Sequence, residues 1–144
     1  MPYHERVVPP PLIFVLICAL AASFGLILVP LSPALATVVA LTLGVLAGLV
    51  QYLTSPVIEV EDGWFRAGGA QIEGHFLGKV EVLDREGMRR TMGTDADTRA
   101  YTAYRDHTQR GVKVELVDPR DPAPYWLVSS RHPEDLAGAL HAIS

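Results

Sequence analysis

The side chains that most often carry out chemistry are scattered along this chain without a recognisable catalytic spacing. The histidines have neither the H-x-x-x-H nor the H-E-x-x-H spacing that puts two zinc ligands on one helix face. The single cysteine supplies no second thiolate and cannot form a disulfide within the chain. The five histidines are His4, His75, His107, His132 and His141. The sequence therefore predicts no metal site.

Motifs for calcium, nucleotide or acyl-transfer chemistry are incomplete as well. Residues 93–99 begin like a calcium-binding loop, but Arg99 occupies a ligand position and the glycine at loop position 6 is missing. Ser129 and Ser130 lack a G-x-S-x-G context, and there is neither a Walker A motif nor a dinucleotide fingerprint. We expect no catalytic residue and no cofactor, and a protein that is not an enzyme.

The charged residues are distributed very unevenly. The 144 residues are 49% hydrophobic and 19% charged, which excludes intrinsic disorder, and the net charge of -4 argues against nucleic acid as a partner. Only Glu5 and Arg6 precede Glu59, so residues 7–58 contain no charged side chain. A run this long is enough for two membrane crossings, because about 20 apolar residues span a bilayer.

The middle of this run contains a turn that divides it into two helices. Pro30 cannot continue the first helix, whereas Ser32 is a good N-cap with Pro33 at the first helical position. We predict transmembrane helices at residues 12–29 and 33–53. The domain organisation that follows is a short N-terminal segment at 1–11, a helical hairpin at 12–55 and a second domain at 56–144.

Two other interpretations of the apolar run exist. It could be the buried hairpin of a soluble protein, although the remaining chain is short for covering it. It could instead contain a signal peptide, since Ala34-Leu35-Ala36 resembles a cleavage site. An apolar core of 18 residues exceeds the usual length in signal peptides, and a second apolar segment follows at once. The two-helix membrane hairpin is therefore favoured.

Basic residues near the helix ends predict the orientation of the hairpin. Arg6 precedes the first helix, Arg66 follows the second, and the connecting turn has no positive charge. The positive-inside rule then places both termini in the cytoplasm of a two-pass plasma-membrane protein. Neither helix contains an ionisable side chain of the kind that proton relays and ion pathways need. We expect the helices to form an anchor in the lipid bilayer.

Small residues at four-residue spacing run along both helices. Such a stripe lets two helix backbones approach closely in lipid. It predicts either packing within the hairpin or homo-oligomerisation through the G-x-x-x-G motif, and the spacing leaves both open. The small-residue stripe consists of Ala36, Ala40, Gly44 and Gly48 in the second helix and of Ala21 and Gly25 in the first.

From residue 56 the pattern changes to short alternating strands. Asp62-Gly63 is a hairpin turn signal, and Pro133 with Glu134 and Asp135 marks the start of a final amphipathic helix. Strands are predicted near 57–61, 64–66, 70–73, 79–83, 101–105, 112–117 and 125–129, and helices at 85–92 and 133–143. We expect a small α+β domain, a bent sheet or half-barrel whose open side the last helix covers.

This order of elements resembles the pleckstrin-homology-like architecture of short bacterial membrane proteins. The opening Met1–Arg6, the segment Gly78–Asp84 and above all Asp118–Arg131 with Pro133-Glu134 resemble an actinobacterial family of small two-pass membrane proteins. That family is classified as domain of unknown function 3093. The resemblance implies the architecture and carries no activity, cofactor or catalytic residue.

Four residues are candidates for a surface that binds a protein partner. Alternation places Trp64 and Phe65 on opposite sides of one strand, and Tyr125 and Trp126 on opposite sides of another, so one aromatic of each pair faces away from the core. It could face the membrane, a helix or a partner, and aromatic anchors dominate protein interfaces. The candidate partner surface is Trp64, Tyr125, Trp126 and Arg131.

We expect a non-enzymatic module, anchored in the membrane, that binds another protein, with an exposed sheet edge available for strand addition. Acidic residues at 59, 61 and 62 precede the first basic residue after the hairpin, which disfavours binding to anionic lipid. The alternatives are an accessory subunit of a larger membrane complex and an enzyme that acts on a lipid-borne substrate.

Overall fold

A computed structural model describes residues 2–105 and 108–144, so His107 and Met1 lie outside the described residues. The chain forms two compact units. One consists of Val8–Ser55, and the other combines the residues up to Val7 with Pro56–Ser144. The hairpin is thus inserted into the chain of the second unit.

The first unit is a pair of apolar helices. Helix α1 is Pro11–Ser23 and continues as a 3-10 segment at Phe24–Leu28, and helix α2 is Pro33–Thr54. The Ser32 hydroxyl accepts a hydrogen bond from the Leu35 N–H at 3.3 Å, as expected of an N-cap. By length and composition both helices are sufficient to cross a membrane.

The first helix differs from the prediction in its last turn. We predicted one helix over residues 12–29, whereas the α-helical part ends at Ser23 and a tighter 3-10 segment follows. The Ser23 hydroxyl donates to the Leu20 carbonyl at 2.6 Å, a side-chain bond that competes with the regular helical ladder. Tight 3-10 turns are common at helix C-termini.

The second unit begins with a four-stranded antiparallel sheet in which the strands follow one another in chain order. Its strands are β1 (Tyr3–Arg6), β2 (Val57–Glu61), β3 (Trp64–Ala67) and β4 (Ala70–Glu73). Asp62 and Gly63, with φ of 53° and 77°, form the two-residue turn between β2 and β3. Positive φ at both positions matches the twist of a tight hairpin.

The second sheet is mixed and has the strand order β5-β7-β8-β6. Strand β6 runs parallel to β8, and the other neighbours are antiparallel. Its strands are β5 (Leu77–Leu83), β6 (Tyr101–Ala103), β7 (Gly111–Leu116) and β8 (Tyr125–Ser129). Helix α3 (Arg85–Met92) follows β5, and helix α4 (Pro133–Ile143) ends the unit.

Both faces of the second sheet contain a buried cluster. On one face Trp126 lies in the main core, where its ring centroid is 5.4 Å from that of Phe65 and 4.9 Å from that of Tyr101. Helix α4 closes this core with Leu136, Ala137 and Leu140. On the other face a smaller cluster contains Leu83, Met88, Tyr125 and Leu127. Met88 belongs to α3, so this helix covers the outer face of the sheet.

The predicted fold class is confirmed at a coarse level, since two long apolar helices precede two sheets and a C-terminal helix. At the N-terminus the structure differs from the expected domain organisation. We placed residues 1–11 in a separate N-terminal segment, whereas Tyr3–Arg6 is a strand of the first sheet. Tyr3 pairs with Val60 and Arg6 with Val57.

Candidate functional site

Two of the four residues predicted for a partner surface are buried in the domain. Tyr125 is 8% exposed and Trp126 is 3% exposed. Trp126 lies in the main core and α3 covers the face that Tyr125 occupies, so neither side chain is open to a partner in this structure. Tyr125 packs under this helix and its hydroxyl accepts a hydrogen bond from the Asp97 N–H at 3.2 Å.

Trp64 remains partly exposed, on the outer face of the first sheet. It lies opposite Glu61 on β2 and Glu73 on β4. Farther along the same face, Arg66 forms an ion pair with Glu59 at 3.0 Å. Trp64 is therefore surrounded by a charged and solvated surface, and it is not brought together with the other three predicted residues.

Arg131 holds the N-terminal strand in place. Its Nε donates to Glu5 Oε1 at 3.4 Å, and its terminal nitrogen donates to the carbonyl of Arg6 at 3.0 Å. Both acceptors belong to β1, so the guanidinium fastens this strand to the segment between β8 and α4. The role that the structure gives to Arg131 is internal to the domain.

Glu5 is the centre of a buried polar cluster, which no motif in the sequence predicts. It is 7% exposed, although it is a carboxylate on an edge strand. Oε2 accepts hydrogen bonds from the hydroxyls of Tyr3 and Ser130, each at 2.6 Å. Oε1 accepts one from the Arg131 N–H at 2.9 Å. Burying an ionised carboxylate costs free energy unless hydrogen-bond donors of the protein replace the water that it loses.

The cluster keeps Glu5 ionised. Burial raises the pKa of Glu5, but the hydrogen bonds from Ser130, Tyr3 and Arg131 outweigh it and leave the pKa below its ordinary value. Burial, together with the bond to this carboxylate, raises the pKa of the Tyr3 hydroxyl. A carboxylate with a lowered pKa and a phenol with a raised one do not exchange a proton near neutral pH. The Glu5 cluster (Tyr3, Glu5, Ser130 and Arg131) therefore locks the strand in place.

The open edge of the second sheet is formed by β5, the longest of the four edge strands in the described residues. Within the described ranges its residues 79–83 have backbone hydrogen bonds only to β7. Lys79 and Glu81 are exposed, and Val82 is 40% exposed although it is apolar. A register shift between Leu77 and Val80 marks a β-bulge at the start of the strand. We call residues 79–83 the β5 edge.

The small-residue stripe lies partly at the contact between the two helices. A Cβ atom at Gly25 would come within 2.7 Å of the Ala40 Cβ and 2.8 Å of the Ala36 carbonyl oxygen. Built at Gly44, it would lie 3.7 Å from the Ala22 Cβ. At Gly48 it would lie 3.3 Å from the Phe14 ring. Ala21 is half-buried. The three glycines thus face the neighbouring helix of the same hairpin.

A family model described as "Protein of unknown function (DUF3093)" matches residues 2–140. The chain belongs to this family. No curated protein and no solved structure gave a match.

The match to the DUF3093 family covers all the strands and all the helices except the end of α4. It takes in β1 with Glu5, the whole hairpin, the β5 edge and most of α4. The sequence segments that suggested the family therefore lie within one continuous match. The family description carries no activity, so any function must be argued from the side chains and strand edges themselves.

Proposed function

We propose that this protein is a non-enzymatic module, anchored in the membrane, that binds another protein chain by strand addition at the β5 edge. The observation that carries the proposal is the open edge of a seven-residue strand, with an exposed valine on it. An extended segment that pairs with such an edge gains main-chain hydrogen bonds, and side-chain pockets provide the selectivity.

The anchor is the hairpin of α1 and α2. Large apolar side chains are exposed along both helices, among them Leu12, Leu26 and Leu53. Surfaces of this extent are unfavourable in water and favourable in the hydrocarbon core of a bilayer. The absence of charged residues between 7 and 58 supports insertion of both helices in the plasma membrane.

The path of the chain supports a two-pass topology with both termini on one side. The Val7 N–H donates to the Pro56 carbonyl at 3.0 Å, so the residues just before and just after the hairpin are adjacent. Residues on both sides of the hairpin belong to one folded unit, which must lie on one side of the membrane. Arg6 and Arg66 favour the cytoplasmic side.

We also propose that the domain is pleckstrin-homology-like. Strands β1–β4 form one antiparallel meander, β5, β7 and β8 form a second, and α4 follows them and closes the core. This order supports the resemblance, with the hairpin inserted between β1 and β2. An actinobacterial origin stays a prediction of the resemblance. Fold analogy does not assign a ligand, and the acidic balance of the domain speaks against anionic lipid.

An accessory subunit of a larger membrane complex is the second candidate. One face of the hairpin has a shallow apolar groove of about 410 Å³, lined by residues of both helices that include Phe14, Ala19, Leu41 and Val45. A helix of another subunit could pack there through van der Waals contact. This candidate places the contact within the bilayer, whereas the β5 edge belongs to the domain.

Photocrosslinking in native membranes separates these possibilities. Val82 is replaced by photoreactive benzoylphenylalanine in the full chain, and Met92, which is 39% exposed at the end of α3, is replaced in a matched control. We expect a discrete protein adduct from position 82 and only background from position 92. Equal crosslinking at both positions, or none at position 82, would overturn the proposal.

A further inference from the structure

We infer that the chain bound at the β5 edge is a second copy of this protein, paired antiparallel about a two-fold axis that passes through Val80. The inference rests on the proposed function, because it identifies the partner at the same edge. It follows from the order of charged and apolar residues along this strand.

Symmetry restricts the registers that two copies of β5 can adopt. In an antiparallel pair related by a two-fold axis normal to the sheet, opposing residues point to the same face, so the axis must pass through a residue. The three central choices are Lys79, Val80 and Glu81. An axis through Lys79 places two lysines directly opposite each other, and an axis through Glu81 does the same with two glutamates. Like charges in direct opposition are destabilising.

The axis through Val80 places opposite charges together. Lys79 of each copy then lies opposite Glu81 of the other, which makes two complementary cross-strand pairs. Lys79 Nζ lies 4.0 Å from Glu81 Oε2 of the same strand, so the two side chains lie on the same face, and both are largely exposed. Of the three central registers, this one alone has no like-charge opposition.

The bulge limits this register to the residues around the axis. It lies between Leu77 and Val80, so Gly78 and Val82 do not form a regular pair, and the contact consists of Val80 and the two pairs of Lys79 with Glu81. Lysines and bulges on an edge normally discourage strand pairing. Here the lysine repels a basic strand but is complementary to Glu81 of a second copy.

Anchoring in the bilayer makes a short strand contact effective. Copies that share one membrane are confined to two dimensions and to one orientation, which raises the concentration of one β5 edge around another. A pairing of few residues is weak in solution, whereas tethered copies need less intrinsic affinity to associate.

Variants that reverse the charge of Lys79 or Glu81 test the inference in the full chain. The background carries Cys18→Ala and Ser144→Cys, which allows donor or acceptor dyes to be attached at the C-terminus. The protein is reconstituted in phosphatidylcholine vesicles, and association is measured by energy transfer. The two test variants are Lys79→Glu and Glu81→Lys, and Glu86→Lys on α3 is the charge-matched control, since Glu86 is exposed and lies off the edge.

We expect each test variant alone to self-associate about 10-fold more weakly than the parent chain, because two attractive pairs become repulsive. A mixture of the two variants restores attraction at both positions and should return to within about twofold of the parent, while Glu86→Lys behaves as the parent does. A misfolded variant could not give this restoration, and neither could a contact made only between hairpins.

Unchanged association of both single variants would overturn the inference, and so would a mixture that fails to recover. No association of the parent chain would also overturn it. If Val82 then still crosslinks to a different protein, strand addition at the β5 edge stands and only the identity of the partner is wrong. The two proposals therefore fail on different results.

Discussion

Replacing Glu5 by alanine is expected to lower the free energy of unfolding of the domain by about 2–3 kcal/mol. The substitution removes the acceptor of hydrogen bonds from Tyr3, Ser130 and Arg131, and it leaves their donors facing one another in a buried site. The loss stays below the upper range for buried ion pairs, because the Arg131 side chain is half exposed and regains water. Strand β1 should detach first, since Glu5 is its main polar link to the segment after β8.

Tryptophan fluorescence is a selective measure of this effect. Both tryptophans, Trp64 and Trp126, lie in the domain and neither lies in the hairpin. Urea unfolding of the full chain in detergent micelles, followed at these residues, reports the domain alone. Glu61→Ala is the matched control, because Glu61 is an exposed glutamate on β2, and it should change stability by less than about 0.5 kcal/mol. Equal effects of the two substitutions would contradict the role of the Glu5 cluster.

The same cluster predicts how the difference depends on pH. The pKa of Glu5 is lower in the folded domain than in the unfolded chain, so its ionised form favours the folded state. This contribution is complete above the unfolded pKa of about 4.3 and is lost as pH falls through the folded pKa. The stability difference between the parent chain and Glu5→Ala should therefore be constant near neutral pH and shrink in acid. A difference that grew in acid would have the wrong sign.

Replacing Gly25 by valine should disrupt the packing of the hairpin by about 1–3 kcal/mol. Even a Cβ atom there would overlap the Ala40 Cβ and the Ala36 carbonyl, so the 3-10 segment that contains Gly25 must move away from α2 to admit a larger side chain. The carbonyl belongs to the backbone of α2 and cannot rotate away. The distance between spin labels at Leu16 and Leu46, measured in lipid, should become longer or broader in this variant.

Gly44→Ala is the internal control for this prediction. At Gly44 a new Cβ would lie 3.7 Å from the nearest atoms, which is ordinary van der Waals contact. We expect no change in the spin-label distance, and a slight gain in helix stability, since alanine favours helices over glycine by about 1 kcal/mol. If Gly25→Val leaves the distance unaltered as well, the close approach of the 3-10 segment to α2 at this point is wrong.

The elements that could be predicted from the sequence are those with local signals. Helix α3 begins after Asp84, whose carboxylate accepts the Gly87 N–H at 2.7 Å as an N-cap should. Pro133 starts α4, and Asp62-Gly63 makes the tight turn that its residue types require. In each case the residues that set the boundary lie within a few positions of it, so the local sequence is sufficient to predict where the element begins.

The features that could not be predicted depend on distant contacts. Strand β1 has four residues and no hydrophobic alternation of its own, and it exists because β2, more than 50 residues later, pairs with it. The burial of Tyr125 follows from α3, which covers a face that alternation alone leaves open. The β5 edge was foreseen only as an exposed edge of some strand, since strand order is set by the pairing of β7 with both β5 and β8.

The central claim is that a hairpin crosses the bilayer twice and returns the chain to a single domain completed by the strand that precedes it. Single cysteines at His4, Leu31 and His141, each in a Cys18→Ala background, test it through a membrane-impermeant maleimide applied to intact cells and to inverted vesicles. The account predicts that positions 4 and 141 are labelled only from the cytoplasmic side and that position 31 is labelled only from the other side. Labelling of positions 4 and 141 from opposite sides, or of all three from one side, would contradict it.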